Sequence, residues 1–299
     1  MKFKNALSLF DGIACARIAL QRAGIEIETY YASEIDKSSI QIANTNFPEI
    51  IQLGDIKGWK NWNLENIDLV IGGSPCQGFS LAGNRLNFED SRSKLFFEFV
   101  EIIRHLKPKY FLLENVKMRK DIQDAISNEL GVQPILINSG LVSAQNRERL
   151  YWTNIPNIVQ PQDKEIFLTD ILEDDLKPSD IVGGQLTEYF EHKEGKISSR
   201  GLCHIGTADL NGIDSIKRVY HIDGKSPTLQ TSSGGNRESK IMIEESKWRK
   251  LTPLEYERLQ TVPDFYTEGL PKTKRYHALG NGFTVDVVAH ILTHIGSNR

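Results

Sequence analysis

Residues 6–24 read ALSLFDGIACARIALQRAG. A short, mostly apolar run, Ala6 to Phe10, stops at Asp11-Gly12. From Cys15 the apolar residues recur at helical spacing until Gly24. A strand, a glycine-containing turn and a helix closed by glycine make the opening unit of an α/β sheet. The alternation continues. TYYASE (29–34) reads as a strand and DKSSIQIANTNF (36–47) as a helix capped by Asp36. IIQLGD (50–55), IDLVIGG (67–73), KYFLLENV (109–116), PILINSG (134–140) and ERLYWTNI (148–155) supply further strands. Helical stretches SKLFFEFVEIIRHL (93–106) and KDIQDAISNEL (120–130) lie between them. Continuous apolar strands separated by helices predict a doubly wound, mostly parallel sheet covered on both faces.

Composition sets the outer bounds. In 299 residues, 39% hydrophobic and 25% charged, there is room for one large domain or two modest ones, with ordinary globular balance. The net charge of -3 announces no nucleic-acid partner, but an acidic body can carry a local basic cleft. No stretch approaches the apolar length of a membrane span. The first apolar run breaks at Asp11, too early for a secretory signal. Cys15, Cys76 and Cys203 are far apart, without metal-ligand spacing, so no metal is expected and a reducing cytoplasm fits.

The pattern changes near Pro156. Residues 157–250 are polar and irregular, with Gly183-Gly184 and Gly234-Gly235. They predict a small, β-rich second domain beside an α/β domain over 1–156. Order returns in a segment over 251–299. There Thr252, Pro253 and Glu255 form a helix start with a capping box, and TVDVVAHILTHI (284–295) forms a final amphipathic helix.

In open α/β sheets ligands bind beyond the carboxyl ends of the strands, so strand-end residues carry the chemistry. The first strand ends in Phe10 and Gly12, an aromatic rim and a tight turn. The second ends in Glu34, suited to ribose hydroxyls. The third ends in Asp55 and Ile56, an acceptor for an amine and an apolar wall. Together they describe a nucleoside pocket, and the chain has no Walker-type phosphate loop. Strand-end carboxylates also serve as helix caps. The fourth strand runs into GGSPCQGFS (72–80), which places Cys76 on a loop. A lone cysteine is ordinarily a small core residue, but here the fifth strand would bring Glu114 to the same crevice. Of Arg147 and Arg149, one is expected to reach the crevice and the other to hold structure.

The ordered set of motifs resembles the DNA cytosine-5 methyltransferases over nearly the whole chain. LSLFDGIA, Ser33-Glu34, GDI, GGSPCQGFS, SKLFFEF, ENV, QNRER, RKLTPLEYERLQTVPDFY and ALGNGFTVDVV follow in that family's order. The resemblance implies a Rossmann-like fold that binds S-adenosylmethionine and releases S-adenosylhomocysteine. It implies that Cys76 attacks C6 of a flipped cytosine, beside Pro75, while Glu114 bonds N3 and the exocyclic amine. Arg149 would hold O2, Arg147 would support the catalytic loop or the ring, and Asn115 would orient the loop. It assigns the cofactor to Phe10, Asp11, Gly12, Ile13, Glu34, Ile35, Asp55, Ile56, Pro75, Leu95 and Asn281. The family usually has Ser or Ala after that asparagine, where this chain has Gly282. Contacts to duplex DNA fall to Gln77 and Ser80 near the thiol. Target recognition falls to 157–250, with Thr228, Gln230, Arg237 and Lys240 in GKSPTLQTSSGGNRESK (224–240). A stand-alone, monomeric enzyme of a bacterial or phage-infected cytoplasm is expected, with a cognate restriction endonuclease as a functional rather than physical partner. The alternatives are a tRNA-type cytosine-5 methyltransferase and an inactive DNA-binding homologue. Against the former, Cys203 is followed by His204-Ile205 rather than Phe-Thr. Against the latter, Pro75-Cys76 and Glu114-Asn115-Val116 are intact.

Overall fold

The computed structural model describes residues 1–74, 91–176, 182–189, 198, 201–231, 236–244 and 247–296, with side chains described from 94 onward in the segment that opens at 91. Contacts divide the chain into two compact units. The first is Met1–Ile137, Glu148–Gln160 and Val287–Arg299, and the second is Asn138–Arg147 and Pro161–Asp286.

The first unit follows the alternation of its apolar runs: β1 (Lys2–Leu9), α1 (Cys15–Arg22), β2 (Glu26–Ser33), α2 (Lys37–Asn46), β3 (Ile51–Gln52), β4 (Ile67–Gly72), α3 (Ser91–Leu106), β5 (Tyr110–Val116), α4 (Lys120–Leu130), β6 (Ile135–Asn138) and β7 (Glu148–Thr153). The strands form one sheet in the order β3-β2-β1-β4-β5-β7-β6. Pairing is parallel from β3 to β5, and β7 runs antiparallel to β5. The order reverses between β1 and β4, which creates a crevice beyond the carboxyl ends of those strands. Asp36 caps α2 by accepting from the Ser39 amide at 2.8 Å. One face of the sheet packs Leu7, Leu9, Val70, Leu113 and Trp152 against Phe96 and Phe99 of α3. Packing is tight where β4 ends. A Cβ on Gly72 would lie 2.8 Å from the Phe99 ring and 3.0 Å from the Leu9 carbonyl, so the chain needs glycine there.

The second unit holds β8 (Gly183–Tyr189), β9 (His204–Ala208), α5 (Asp214–Lys217), β10 (Arg218–Tyr220), β11 (Lys240–Glu244) and β12 (Lys247–Lys250). The strands close into a barrel in the order β10-β11-β12-β8-β9, around Ala208, Val219 and Trp248. The expected irregular β-rich region is thus a small barrel. Next come α6 (Pro253–Leu259) and α7 (Lys272–Asn281), and then α8 (Val285–Thr293), which crosses the boundary between the units. Thr252 and Glu255 form the expected capping box on α6.

By contacts, 251–286 belongs with 161–250, so the compact units differ from the boundaries read at 156 and 250. The reason is a set of buried polar ties. Arg249 on β12 pairs with Glu255 on α6 at 2.6 Å, with both side chains almost wholly buried. Arg258 donates to the carbonyls of Ile171 and Leu172 (3.1 and 3.0 Å), and the Tyr256 hydroxyl accepts from the Ser239 amide. Only the stretch from Val287 on joins the first unit. Among the described residues, no helix is long and apolar enough to cross a membrane.

Candidate active site

The turn after β1 is built from left-handed residues. Phe10, Gly12 and Ala14 have φ of 58°, 61° and 61°. Such a run is costly for residues with side chains and is held here by specific bonds. The Asp11 amide donates to the Ser33 carbonyl (3.1 Å), and the Ala14 amide donates to the Asp11 carbonyl (3.2 Å). Glu34, at the end of β2, accepts from the Gly12 amide through Oε2 (2.8 Å) and from the Ile35 and Asp36 amides through Oε1 (2.7 and 2.8 Å). Three donors fix the carboxylate and leave it acceptor capacity, since it offers about four lone-pair positions. No atom lies within 4 Å of a Cβ built on Gly12, so the turn faces open space. Ile35 stands beside it, 70% exposed. The exposed Asp55 accepts from the Lys57 amide at 3.0 Å and starts the short 3-10 helix Ile56–Asn61.

These residues fit a nucleoside. Glu34 offers oxygen acceptors beside a glycine turn, Ile35 an exposed apolar face, and Asp55 a second acceptor. Three expected cofactor contacts are placed otherwise. The Asp11 side chain turns inward, where its Oδ1 accepts from the Tyr30 hydroxyl at 2.7 Å. Burial, foremost, pushes its carboxyl up to about 7, despite the lowering effect of that bond. Ile13 is fully buried, and Ile56 is 4% exposed within the core. Leu95 is half-buried against the same core. Asn281 is exposed at the end of α7, in the second unit.

At the neighbouring strand ends, Arg149 Nε lies 2.9 Å from Glu114 Oε1, with both side chains 12% exposed. The antiparallel register sets this, because Val116 faces Arg149 and Glu114 faces Tyr151 across β5 and β7. Asn115 is buried and donates its amide to the carbonyl and hydroxyl of Ser74 (3.3 and 3.2 Å). Its Oδ1 accepts from the Val116 amide at 2.8 Å. The end of β5 is thereby tied to the residue that precedes Pro75. Pro75, Cys76, Gln77 and Ser80 lie outside the described residues. A carboxylate and a guanidinium side by side present an acceptor and a fork of donors, which suits a heterocycle whose edge carries both kinds of group.

Arg147 does not share this position. It precedes β7, which begins at Glu148; within a strand, residues two apart would share a face. Its guanidinium is buried in the second unit and donates to the carbonyls of Leu229, Gly280 and Gly282 (3.1 to 3.3 Å). It ties the Leu229 backbone to the end of α7.

Of the residues expected at DNA, Gln230 and Arg237 are exposed. Thr228 is half-buried and donates to the Asn146 carbonyl at 2.8 Å. Lys240 corrects the expectation. It is 1% exposed, and its Nζ donates to the carbonyls of Asn236 (2.6 Å) and Glu238 (2.9 Å). It is closed off from a phosphate. The sequence reading missed Ser74 and Tyr30, whose roles come from pairing across strands. It missed Lys225 too, a buried amine that donates to the carbonyls of Gly140, Ser143 and Ile166.

Comparisons with known proteins identify the family. The family model described as C-5 cytosine-specific DNA methylase matches residues 4–297. The type II methyltransferase M.HhaI of Haemophilus parahaemolyticus is 28% identical, over 98% of this chain and 94% of its own. M.HpaII of Haemophilus parainfluenzae is 31% identical, over 94% and 86%. A mutant DNMT2 of Spodoptera frugiperda shares the fold, with a TM-score of 0.67 at 19% identity over 98% of this chain and 99% of that one. With its fold, its motif order and a family match over nearly its whole length, the chain belongs to the C-5 cytosine-specific DNA methylases.

Proposed function

We propose that this S-adenosylmethionine-dependent cytosine-5 methyltransferase acts on a cytosine flipped out of duplex DNA, through a covalent bond from Cys76 to C6. The observation that carries the proposal is the Glu114–Arg149 pair, with Asn115 bonded to the residue just before Pro75-Cys76. C5 of cytosine is a poor carbon nucleophile, and addition of a thiolate at C6 turns the ring into an enamine. An ordinary thiol is only a few per cent ionised near neutral pH, so the site must favour the Cys76 thiolate. Glu114 accepts from the exocyclic amine and shares a proton with N3, and Arg149 donates to O2, so both stabilise the negative charge that thiolate addition places on the ring. The bound cofactor supplies the electrophilic methyl group. A water-derived base then takes the C5 proton, the C–H bonding pair re-forms the C5–C6 double bond, and the thiolate leaves C6, which restores aromaticity. None of these contacts is available inside a stacked duplex, which is why the base must leave it.

Phe10, Gly12, Glu34, Ile35 and Asp55 would hold the cofactor. Reading of the flanking bases falls to the region 157–250, with Arg237 and Gln230 as its exposed donors. The proposal places the enzyme, as a monomer, in the cytoplasm of a bacterial or phage-infected cell.

Bisulfite sequencing of DNA from a host that expresses the chain tests this and reads the target motif. The same sequencing of host tRNA covers the other substrate class. Methylated RNA with unmethylated DNA would move the assignment to RNA. With active enzyme, a target containing 5-fluorocytosine should trap a covalent adduct that Cys76→Ser lacks. An adduct that survives Cys76→Ser would remove the nucleophile role.

A further inference from the structure

Lys240 opens β11 with its ammonium inside the protein. Nζ donates to the carbonyls of Asn236 and Glu238 and lies 5.9 Å over the Trp248 ring. Trp248 is itself held by a bond from Nε1 to the Gln185 carbonyl (2.8 Å). An ammonium removed from water is costly unless bonded, and burial together with the nearby charge of Lys250 pushes this one down to about 8. Its bonds go to the backbone of one short segment. That segment is tied at almost every other residue. The Glu238 carboxylate pairs with Lys250 Nζ at 3.0 Å. The Ser239 amide donates to the Tyr256 hydroxyl, and the Ser239 carbonyl accepts from the Leu251 amide (both 2.9 Å). Asn236 is left-handed, with φ of 59°, a conformation that needs such support. Between the tied residues stands Arg237. It is exposed, and its guanidinium has no partner among the described residues.

We propose that Lys240 is a positioning residue for sequence recognition: its buried ammonium sets the backbone of 236–239 so that Arg237 is presented to the bases or phosphates beside the target cytosine. The inference rests on the reading that 157–250 recognises DNA. It makes Arg237 and Lys240 one unit, with Arg237 touching DNA and Lys240 acting through the backbone.

The test uses the full chain and a randomised duplex library, read by bisulfite sequencing. Arg237→Ala, Lys240→Met, the double variant and Lys250→Met are compared for rates on the preferred site and on single-base variants. Arg237→Ala should relax one position of the motif, or weaken all sites alike with a smaller salt slope, depending on whether it contacts a base or a phosphate. Lys240→Met should reproduce the same pattern at the same position, with a change of at least about fivefold, and the double variant should be no worse than Arg237→Ala. Lys250→Met, at a less buried site, should shift the pattern the same way and keeps the test open if Lys240→Met does not fold. If Arg237→Ala changes neither motif nor salt slope, the recognition reading itself fails at this loop. If Arg237→Ala has its effect but Lys240→Met and Lys250→Met slow all sites equally and additively with it, the positioning role is overturned while the recognition reading stands.

Discussion

The Tyr30 hydroxyl donates to Asp11 Oδ1 at 2.7 Å, inside the turn that follows β1. Asp11 is buried, and its carboxyl is raised from 3.8 to about 7 by burial, with the charge of Glu34 adding in the same direction. The folded state therefore keeps a proton that the unfolded chain releases near pH 4. Stability from this group is complete below about pH 4 and declines as pH rises toward 7. Above 7 the full penalty of a buried carboxylate is present. Asp11→Asn keeps an acceptor for Tyr30 and cannot ionise. Its stability relative to the wild type should rise between pH 4 and 7 and level off above, by at most about 4 kcal/mol. Urea unfolding at several pH values measures this. A difference that stays constant over that window would show that Asp11 does not titrate there.

Glu34 holds the turn and, in the proposed reading, also meets the cofactor's ribose. It accepts from the Gly12, Ile35 and Asp36 amides, so Glu34→Ala removes the carboxylate that joins the ends of β1 and β2. Affinity for S-adenosylmethionine should fall by about 1–3 kcal/mol, through loss of a charge-assisted contact and a looser turn. Calorimetry that finds the wild-type affinity would place the ribose contact on another residue.

Much of this was readable from local signals. Most strands of the large sheet are apolar runs, and those of β1 to β4 stop at Gly, Asp or Glu, so such runs announce themselves. The start of α6 is likewise local, because Thr252, Pro253 and Glu255 need only one another. The direction of β7 is not, since an apolar run carries no arrow and pairing alone decides it. The barrel was hidden by the brevity of its strands. β10 is three residues long, and its parallel partner β11 begins twenty residues later. Lys240 shows the same limit at one residue. In a polar, glycine-rich stretch a lysine reads as a surface charge, and only Trp248 and two carbonyls brought up by the barrel bury it.

Arg249 and Glu255 make a two-pronged pair with Nη–O distances of 2.6 and 2.7 Å, almost without exposure. Glu255 also accepts from the Thr252 and Glu173 amides. Arg249→Met fills similar space but leaves the carboxylate without its cation. Removing one partner of a buried pair typically costs about 3–5 kcal/mol. Urea denaturation followed through Trp248, the neighbour of Arg249, should show a loss of that size. A loss below about 1 kcal/mol would mean that the backbone donors alone carry Glu255.

Glu114 and Arg149 test the chemistry most directly, because each is poised by the other. At 12% exposure the pair is shielded enough for its charges to be coupled, yet open enough to meet a base. Glu114→Gln keeps the shape but removes the charge that balances Arg149 and alters the proposed contact with N3. Arg149→Met removes the O2 donor and leaves Glu114 uncompensated. Each should lower kcat by about a hundredfold or more, as loss of a donor aimed at developing charge does in other enzymes. Cofactor affinity should hold, since neither residue touches the Gly12–Glu34 turn. The two effects should not add. Once one partner is gone the other is misdirected, so the double variant should lie close to the worse single one. Single-turnover methylation with saturating DNA separates this from weaker binding. Strictly additive losses would mean that the two side chains act on the base independently, and that their 2.9 Å contact is incidental to catalysis.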